Sequence, residues 1–336
     1  MKNKPAISVI IPSLNNAPDL NRCLDSILKS RFTNYEIIFI DDGSTDNTKE
    51  VVKQYQGHKK IKIYYFSKNK GICQSRNFGA RRALGKYFLF LDSDTEMNPQ
   101  CLGEIYKAFE AKPKVGLIQA KLLEGKSNKI NSGGHFLTLF GFPHEVGVGK
   151  NEKKYQKERL IFGARGAAIA IRKNLFNKIK GFDGDYLMCV EDTDICWRTW
   201  LTGYQIIYLP TAKVYHFQKR TSKKTAKEKF FYQGAKNNLS MIIKSAPLKI
   251  LIWMLPLHAA CWILIAIKFL FQKRFKEAIS VFKGIFWHFL HPQRDLKRRR
   301  IAWKNFDKSS QYEKIIFGKT NFKEIILKGR RWFTNV

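Results

Sequence analysis

The first 120 residues alternate between short apolar runs and stretches in which apolar residues recur at helical spacing. The apolar runs predict buried strands at 7–11, 36–40, 61–66 and 87–91. The helical spacing predicts helices at 19–30, 48–55 and 72–84. This alternation predicts an α/β fold with a mixed, mainly parallel central sheet flanked by helices. Such sheets bind ligands beyond the carboxyl ends of their strands, where we expect the functional residues.

The pattern is less regular in the next hundred residues. Residues 125–160 are rich in Gly, Lys and Asn and predict a long loop. Beyond that loop, we expect strands at 161–171, 204–209 and 212–215, and a helix at 192–201.

The character of the chain changes after Ser222, where apolar and basic residues come to dominate. We therefore predict three parts: an α/β domain over 1–222, a helical region over 223–300, and a basic tail over 301–336. The helical region is expected to be hydrophobic and to associate with a membrane.

Residues 250–271 form an apolar stretch of 22 residues, long enough to cross a bilayer. Pro256, His258 and Lys268 interrupt it, and a single crossing would export the basic tail. A hairpin with 278–290 or a helix lying in the membrane interface fits the charges better, and a buried core helix is the remaining alternative.

Composition and charge narrow the class of protein. A hydrophobic fraction of 44% with 26% charged residues is ordinary for a globular protein and argues against a fibrous or disordered chain. The formal net charge is +34, and residues 217–336 hold 27 basic but only 6 acidic residues. This surplus predicts an anionic partner, and its position beside apolar segments favours an anionic membrane surface over nucleic acid.

The cysteines argue against a disulfide-rich or zinc-binding protein, and the N-terminus argues against a signal peptide. The six cysteines are scattered without a C-x-x-C pair, which argues against a disulfide framework and a zinc site and is typical of a reducing compartment. The apolar run before Pro12 is too short for the core of a signal peptide.

Two acidic pairs follow predicted strands. Asp92 and Asp94 flank Ser93 directly after the apolar run 87–91, where two carboxylates can share one Mg²⁺ or Mn²⁺ ion. Asp41 and Asp42 follow the second strand, either as part of a simple turn or as acceptors for a base or ribose.

Three other groups of residues are candidates for binding or catalysis. Lys70 precedes a glycine at a helix start, and Arg76 lies within that helix, an arrangement that favours phosphate. Glu191, Asp192 and Asp194 lie close together, which suits a general base, although Asp194 and Arg198 at helical spacing also predict a structural ion pair. A lone histidine, His216, follows the predicted strand at 212–215.

The order of these motifs resembles the family-2 glycosyltransferases, and their rhamnosyltransferase-like bacterial and archaeal branch most of all. The resemblance covers residues 5–220 almost continuously. It is carried in order by IIPSLNN, IDDGSTD, NKGICQSRNFGA, FLFLDSD, GFDGDYLMCVEDTDICWRTWLTGY and LPTAKVYHF. It implies the GT-A fold and transfer of a sugar from a nucleoside-diphosphate donor.

The resemblance also implies a role for each matching residue. In the donor site, Pro12, Ser13 and Asn15 lie near the nucleoside, Asp41 and Asp42 contact the base, Arg76 approaches the diphosphate, and Lys70, Ser93 and Gly166 complete the site. Asp92 binds ribose or the metal, Asp94 binds the Mg²⁺ or Mn²⁺ ion, and His216 completes the metal or phosphate site. Asp192 is implied as the catalytic base, with Glu191 beside it.

One carboxylate base without a second nucleophile implies single displacement with inversion. The apolar and basic C-terminal region predicts a lipid-linked or polysaccharide acceptor and a position at the cytoplasmic face of the cell membrane, anchored through 250–290. Two alternatives stay open: a sugar-nucleotide nucleotidyltransferase, for which the loop Ser13–Asn16 lacks glycine and basic residues, and a basic nucleic-acid-binding protein.

Overall fold

A computed structural model of the chain describes residues 4–217 and 226–317. The predicted boundary at 222 and residues 318–336 of the predicted basic tail lie outside the described residues. The three-part division of the chain stays a prediction.

One mixed sheet forms the centre of the molecule. Its strands are β1 Ile7–Ser13, β2 Tyr35–Asp41, β3 Ile61–Tyr65, β4 Tyr87–Leu91, β5 Thr95–Met97, β6 Val115–Glu124, β7 Ile130–Ser132, β10 Arg159–Leu160, β11 Ala168–Arg172 and β12 Gln205–His216. A separate two-stranded sheet pairs β8 His135–Leu137 with β9 Pro143–Glu145. The main path runs β10-β12-β6-β11-β4-β1-β2-β3.

Helices cover the sheet and extend the chain beyond it. They are α1 Ala17–Leu28, α2 Thr48–Lys53, α3 Ile72–Arg82, α4 Cys101–Ala111, α5 Lys173–Lys178, α6 Glu191–Leu201, α7 Lys227–Ser245, α8 Leu248–Phe271, α9 Phe275–Leu290, α10 Pro292–Lys304 and α11 Tyr312–Ile315. Strands β4, β1, β2 and β3 pair in parallel, while β11 runs antiparallel to both β4 and β6. The predicted α/β fold with a mainly parallel sheet is confirmed.

Alternation along the strands divides the core between the two faces of the sheet. On β1, Val9 packs into one buried cluster with residues of α1 and α4, while Ile10 packs into the other with residues of α6 and α7. Successive side chains of a strand point to opposite faces, so a continuous apolar run such as that of β1 is buried on both. The carboxyl ends of β1, β2 and β4 are thereby held at one edge.

The structure corrects three expectations of secondary structure. The segment 125–160 is not a loop without regular structure, because it contains β7, β8, β9 and β10. The strand expected at 161–171 is restricted to β11, and the two strands expected at 204–209 and 212–215 are a single strand, β12. A register shift between Leu209 and Lys213 lets β12 continue past Pro210 along β6.

The C-terminal helices pack against the α/β domain. Met241 and Ile242 of α7 and Met254 of α8 belong to the same buried cluster as Trp197 of α6. Within the described residues, α8 is the one helix with the length and composition to cross a membrane.

Candidate active site

Three predicted metal ligands meet at the carboxyl edge of the sheet. One ligand atom from each of Asp92, Asp94 and His216 lies within 4.8 Å of the other two. His216 Nε2 is 3.3 Å from Asp94 Oδ1, and its Nδ1 is 3.0 Å from Asn131 Oδ1. Asp94 and His216 are buried, whereas the side chain of Asp92 is 30% exposed, which leaves the cluster open on one side.

Strand pairing explains why these residues converge. Asp92 directly follows β4, and the chain returns as β5, whose Thr95 pairs with His216 at the end of β12. Phe217 N also donates to Asp94 O at 2.9 Å. Two carboxylates and an imidazole are a donor set that suits a divalent cation of the Mg²⁺ or Mn²⁺ type.

Arg76 links the metal-type cluster to the acidic start of α6. Its guanidinium donates to Asp92 Oδ1 at 2.9 Å, to Gly166 O at 2.9 Å and to Glu191 Oε1 at 3.3 Å. The side chain is 1% exposed. Burial opposes the charge of Arg76, but Asp92 and Glu191 outweigh it, and the pKa of the guanidinium is raised. A cation that is buried this deeply fixes the positions of both carboxylates.

Asp192 and Glu191 begin α6 and face different partners. Asp192 Oδ2 accepts the Gly166 N–H at 2.9 Å, and Oδ1 accepts the Thr193 N–H at 2.7 Å. Burial and the neighbouring Asp192 charge raise the pKa of Glu191 to about 7, although Arg76 opposes the shift. The two adjacent carboxyl groups are therefore not equivalent.

The backbone before α6 adopts an unusual conformation. Cys189 and Val190 have φ of 68° and 55°, in the left-handed region that β-branched residues avoid. Asn237 of α7 holds this turn, because its Nδ2 donates to Met188 O at 2.6 Å. Strained backbone at this point aims the first turn of α6 at the carboxyl edge of the sheet.

The two aspartates after β2 are buried and bonded to backbone. Asp42 accepts the N–H groups of Lys70 at 2.8 Å and of Gly71 at 2.9 Å. Burial raises the pKa of Asp42, although these N–H groups lower it. Asp41 Oδ1 accepts the Ser44 N–H at 2.9 Å, while its buried Oδ2 has no hydrogen-bond partner among the described residues.

The remaining predicted donor-site residues lie around the same edge. Pro12 and Ser13 end β1, and the buried Ser13 Oγ has no partner among the described residues. Asn15 has a φ of 52°, and its Oδ1 accepts the Thr45 N–H at 2.7 Å. Ser93 Oγ accepts from the Asn16 side chain at 3.0 Å.

Lys70 contributes its backbone to this edge, and its ammonium group lies 4.3 Å from the centre of the Phe66 ring. The assigned roles of the donor-site, metal and catalytic residues stay predictions.

The expected ion pair between Asp194 and Arg198 is present and buried. Arg198 Nη2 lies 2.6 Å from Asp194 Oδ2, and Lys244 Nζ of α7 lies 2.6 Å from Asp194 Oδ1. Asp194 is fully buried and therefore serves α6 as a structural anchor rather than as part of the open site.

Sequence reasoning missed three polar residues behind the site. Asn131 contacts His216, and His135 contacts Thr193 beside Asp192. Asn131 and His135 lie in the segment expected to be a loop, and nothing in its weak periodicity pointed to them. Both residues lie in short strands, and only the tertiary structure shows that they are buried.

The mixed sheet with an acidic cluster at its carboxyl edge has the GT-A fold. Similar solved structures have this fold. S. aureus TarS 1-349 in complex with UDP-GlcNAc has a TM-score of 0.57 at 19% identity, covering 92% of this chain and 90% of that one. GalNAc-T7 with UDP, GalNAc and Mn²⁺ has a TM-score of 0.59 at 18% identity, covering 73% of this chain and 48% of that one.

Residues 8–180 match the model of the glycosyl transferase family 2 domain, and the chain belongs to this family. An uncharacterized glycosyltransferase of Haemophilus influenzae is 28% identical over 191 residues, which are 56% of this chain and 60% of that protein. Poly-beta-1,6-N-acetyl-D-glucosamine synthase of Staphylococcus epidermidis is 25% identical over 207 residues, which are 61% and 48%. The chain thus spans at most about three fifths of these two relatives. Family membership confirms the prediction of a glycosyltransferase and favours it over the two alternatives.

Proposed function

We propose that this glycosyltransferase moves a sugar from a nucleoside-diphosphate donor to a hydroxyl of a lipid-linked or polysaccharide acceptor, with inversion at the anomeric carbon. One observation carries the proposal. Gly166 bonds to Asp192 through its N–H and to Arg76 through its carbonyl, and Arg76 is paired with Asp92. A carboxylate base and the groups suited to a diphosphate thus belong to one hydrogen-bonded cluster.

The similar proteins support the donor and acceptor classes. TarS and GalNAc-T7 have been solved with UDP, and one TarS structure holds UDP-GlcNAc. The Staphylococcus epidermidis relative is named for a polysaccharide product. A nucleoside-diphosphate sugar and a glycan acceptor are therefore the first substrates to test.

Asp92, Asp94 and His216 would hold a Mg²⁺ or Mn²⁺ ion, because two oxygen donors and one nitrogen donor lie within reach of a single cation. The exposed side of Asp92 leaves room for diphosphate oxygens. When bound, the ion supplies Lewis-acid stabilisation of the leaving diphosphate. Arg76 orients Asp92 toward this role through its 2.9 Å ion pair.

Asp192 would accept the proton of the acceptor hydroxyl as that oxygen attacks the anomeric carbon. Glu191 is less suited to the role, because its Oε1 already accepts from the buried guanidinium of Arg76. A positioned general base contributes about 10²–10⁴-fold to such a step.

The base assignment is tested with Asp192→Asn. We expect transfer to fall by about 10²-fold or more, while UDP binding measured by calorimetry stays unchanged, because the amide keeps the shape but cannot take a proton. Asp25→Asn, an exposed position on α1, is the matched control and should retain full transfer. Transfer at the wild-type rate in Asp192→Asn would remove Asp192 as the base.

The C-terminal helices would hold the enzyme on the cytoplasmic face of an anionic membrane. One side of α8 packs on the protein from Ile250 to Phe269, and its His258 Nε2 accepts the Trp262 N–H at 2.9 Å. The other side exposes apolar residues. In this arrangement α8 would therefore lie along the membrane surface rather than cross the bilayer alone. We name as the apolar face of α8 and α9 the exposed residues Leu248, Ile252, Leu257, Ile263, Leu264, Ile267, Leu270, Phe271, Phe275, Ile279, Phe286, Phe289 and Leu290.

Exposed cations accompany this apolar face. They are Lys273, Lys276, Lys283, Arg294, Lys297 and Arg300. An exposed apolar surface of this extent with a basic border fits a bilayer that contains anionic lipid, since each cation near the headgroups contributes about 1 kcal/mol. A lipid-linked acceptor would then be presented to the enzyme at the same membrane.

A further inference from the structure

The base candidate Asp192 is held by a second group of residues, behind the site. Thr193 Oγ1 lies 3.3 Å from Asp192 Oδ1, in addition to the 2.7 Å bond from its own N–H. On its other side, Thr193 Oγ1 lies 3.1 Å from His135 Nε2. Thr193 and His135 are each 1% exposed, so this chain of contacts is shielded from water.

The direction of the hydrogen bonds follows from the chemistry of the groups. An ionised Asp192 can only accept, so the Thr193 hydroxyl donates to it and accepts in turn from His135 Nε2–H. The Nδ1 atom of His135 is buried and has no hydrogen-bond partner among the described residues. An unpaired ring nitrogen without a proton costs less than an unpaired N–H, so this geometry places the ring proton on Nε2.

The histidine ring is fixed by a close approach of the backbone. His135 and Gly163 exchange two backbone hydrogen bonds, of 2.8 and 2.9 Å. A Cβ atom at Gly163 would lie 2.0 Å from His135 Nε2, so only glycine leaves room for the ring. Three residues further along the same segment, Gly166 donates to Asp192 Oδ2. One backbone segment therefore fixes both oxygens of Asp192, one directly and one through His135 and Thr193.

We infer that His135 and Thr193 are positioning residues that orient the Asp192 carboxylate toward the acceptor hydroxyl. The inference rests on the proposed role of Asp192 as the base. Both residues act through Asp192 and are not expected to contact the substrate. Misalignment of a catalytic group by about 1 Å can cost about 10²-fold in rate, which sets the scale of the effect.

The test compares four variants in the full-length enzyme. Thr193→Val removes the hydroxyl at constant shape, and we expect kcat to fall about tenfold or more with little change in the KM for the donor. Thr193→Ser keeps the hydroxyl and should restore most of kcat. His135→Phe should resemble Thr193→Val, whereas His135→Gln, which keeps an N–H donor, should restore activity in part.

The pH profile gives a readout that a purely structural role would not change. Loss of the O–H donor disfavours the ionised carboxylate, so the acid limb of kcat/KM should move to higher pH in Thr193→Val. The other titratable groups facing Asp192 are Glu191, Arg76, Cys189, Cys196 and His135. These groups are the same in Thr193→Val and in the wild type, so a displaced limb reports the lost hydroxyl.

Thr199→Val is the matched control. Thr199 lies on the same helix, is fully buried, and its Oγ1 has no hydrogen-bond partner among the described residues. It should keep wild-type kcat and pH profile. If Thr193→Val and His135→Phe fold and have the wild-type kcat and profile while Asp192→Asn is inactive, the positioning role is overturned and the base assignment stands. If Asp192→Asn is fully active, the base assignment fails and the positioning role fails with it. Should His135→Phe not fold, the two Thr193 variants decide the question alone.

Discussion

At the scale of single residues, the site depends on neighbouring carboxyl groups that differ in their environment. Glu191 lies beside Asp192 with 13% of its side chain exposed, and its pKa is raised from 4.5 to about 7. Arg76 stabilises the ionised form of Glu191 but does not reverse the effect of burial. A carboxyl group with a strongly raised pKa is typical of a functional site.

This shift predicts a pH-dependent stability. Below pH 4.5 Glu191 is protonated whether the chain is folded or not, and above that value only the folded chain keeps the proton, up to about pH 7. The free energy of unfolding should therefore fall as the pH rises through this window. In Glu191→Gln that part of the decline should be absent. Melting temperatures measured across this pH range in EDTA check the difference.

Glu104→Gln is the control for this measurement, because Glu104 pairs with Lys107 at the surface of α4. It should follow the wild-type curve. Parallel curves for wild type and Glu191→Gln would contradict the raised pKa of Glu191.

At this scale, the acidic residues at the edge of the sheet were predictable from the sequence. The residues that support Asp192 from behind were not. Asp92, Asp94 and Asp42 follow strands, and that local fact suffices to bring them to one edge. His135 and Thr193 are in contact although they lie 58 positions apart, and the His135 ring fits there only because residue 163 is a glycine. No local pattern encodes such a fit.

At the scale of elements, α6 is anchored by a buried charge network as well as by apolar packing. Lys244 of α7 lies 2.7 Å from Asp183 and 2.6 Å from Asp194. Arg298 of α10 lies 3.1 Å from Asp183 and also pairs with Asp185. Helices α7 and α10 thus hold the loop that leads into the first turn of α6.

Lys244→Met tests this anchor. Removing one partner leaves Asp183 and Asp194 buried with less compensation, and we expect a loss of about 3–5 kcal/mol in the free energy of unfolding. Urea denaturation followed by circular dichroism measures it. Lys249→Met is the matched control, because Lys249 pairs with Glu313 while 65% exposed and should cost less than about 1 kcal/mol. Equal losses in the two variants would contradict a special role for Lys244.

One strand that the sequence analysis missed, β6, has polar residues in buried positions. β6 is buried over nearly its whole length, yet it contains Gln119 and Lys121. Gln119 is satisfied by Ala120 O and Arg165 N, and Lys121 by Glu152 and Gln156. Apart from Ala120, these partners come from distant segments, so the strand's own pattern understates its burial. A continuous apolar run such as that of β4 was predicted as a strand from its own sequence pattern.

At the scale of the whole molecule, the distribution of charge and apolar surface favours a membrane-bound enzyme. The net charge of +34 is concentrated in the last third of the chain, where the apolar face of α8 and α9 is exposed. The sequence predicted this association but left open how 250–271 meets the lipid. Packing of one side of α8 on the protein favours a helix lying along the surface.

Binding to vesicles tests this arrangement. The protein should sediment with phosphatidylcholine vesicles that contain phosphatidylglycerol, and added salt should weaken this binding because it screens the basic border. Phe286→Ser with Phe289→Ser should weaken binding by about tenfold or more, since these side chains are 59% and 75% exposed and available to the lipid.

Leu84→Ser, a 50% exposed position of the α/β domain, is the control and should bind as wild type does. Equal binding by the double variant and the wild type would contradict docking through this face.

The antiparallel pairing of β5 with β12 has a consequence for ion selectivity. Thr95 lies opposite His216 in this ladder, so the main chain holds the adjacent Asp94 close to the imidazole. At the metal site proposed above, a small hard ion such as Mg²⁺ should therefore bind with little rearrangement. The larger Ca²⁺ ion prefers longer bonds and more ligands, so its binding would require these side chains to move apart.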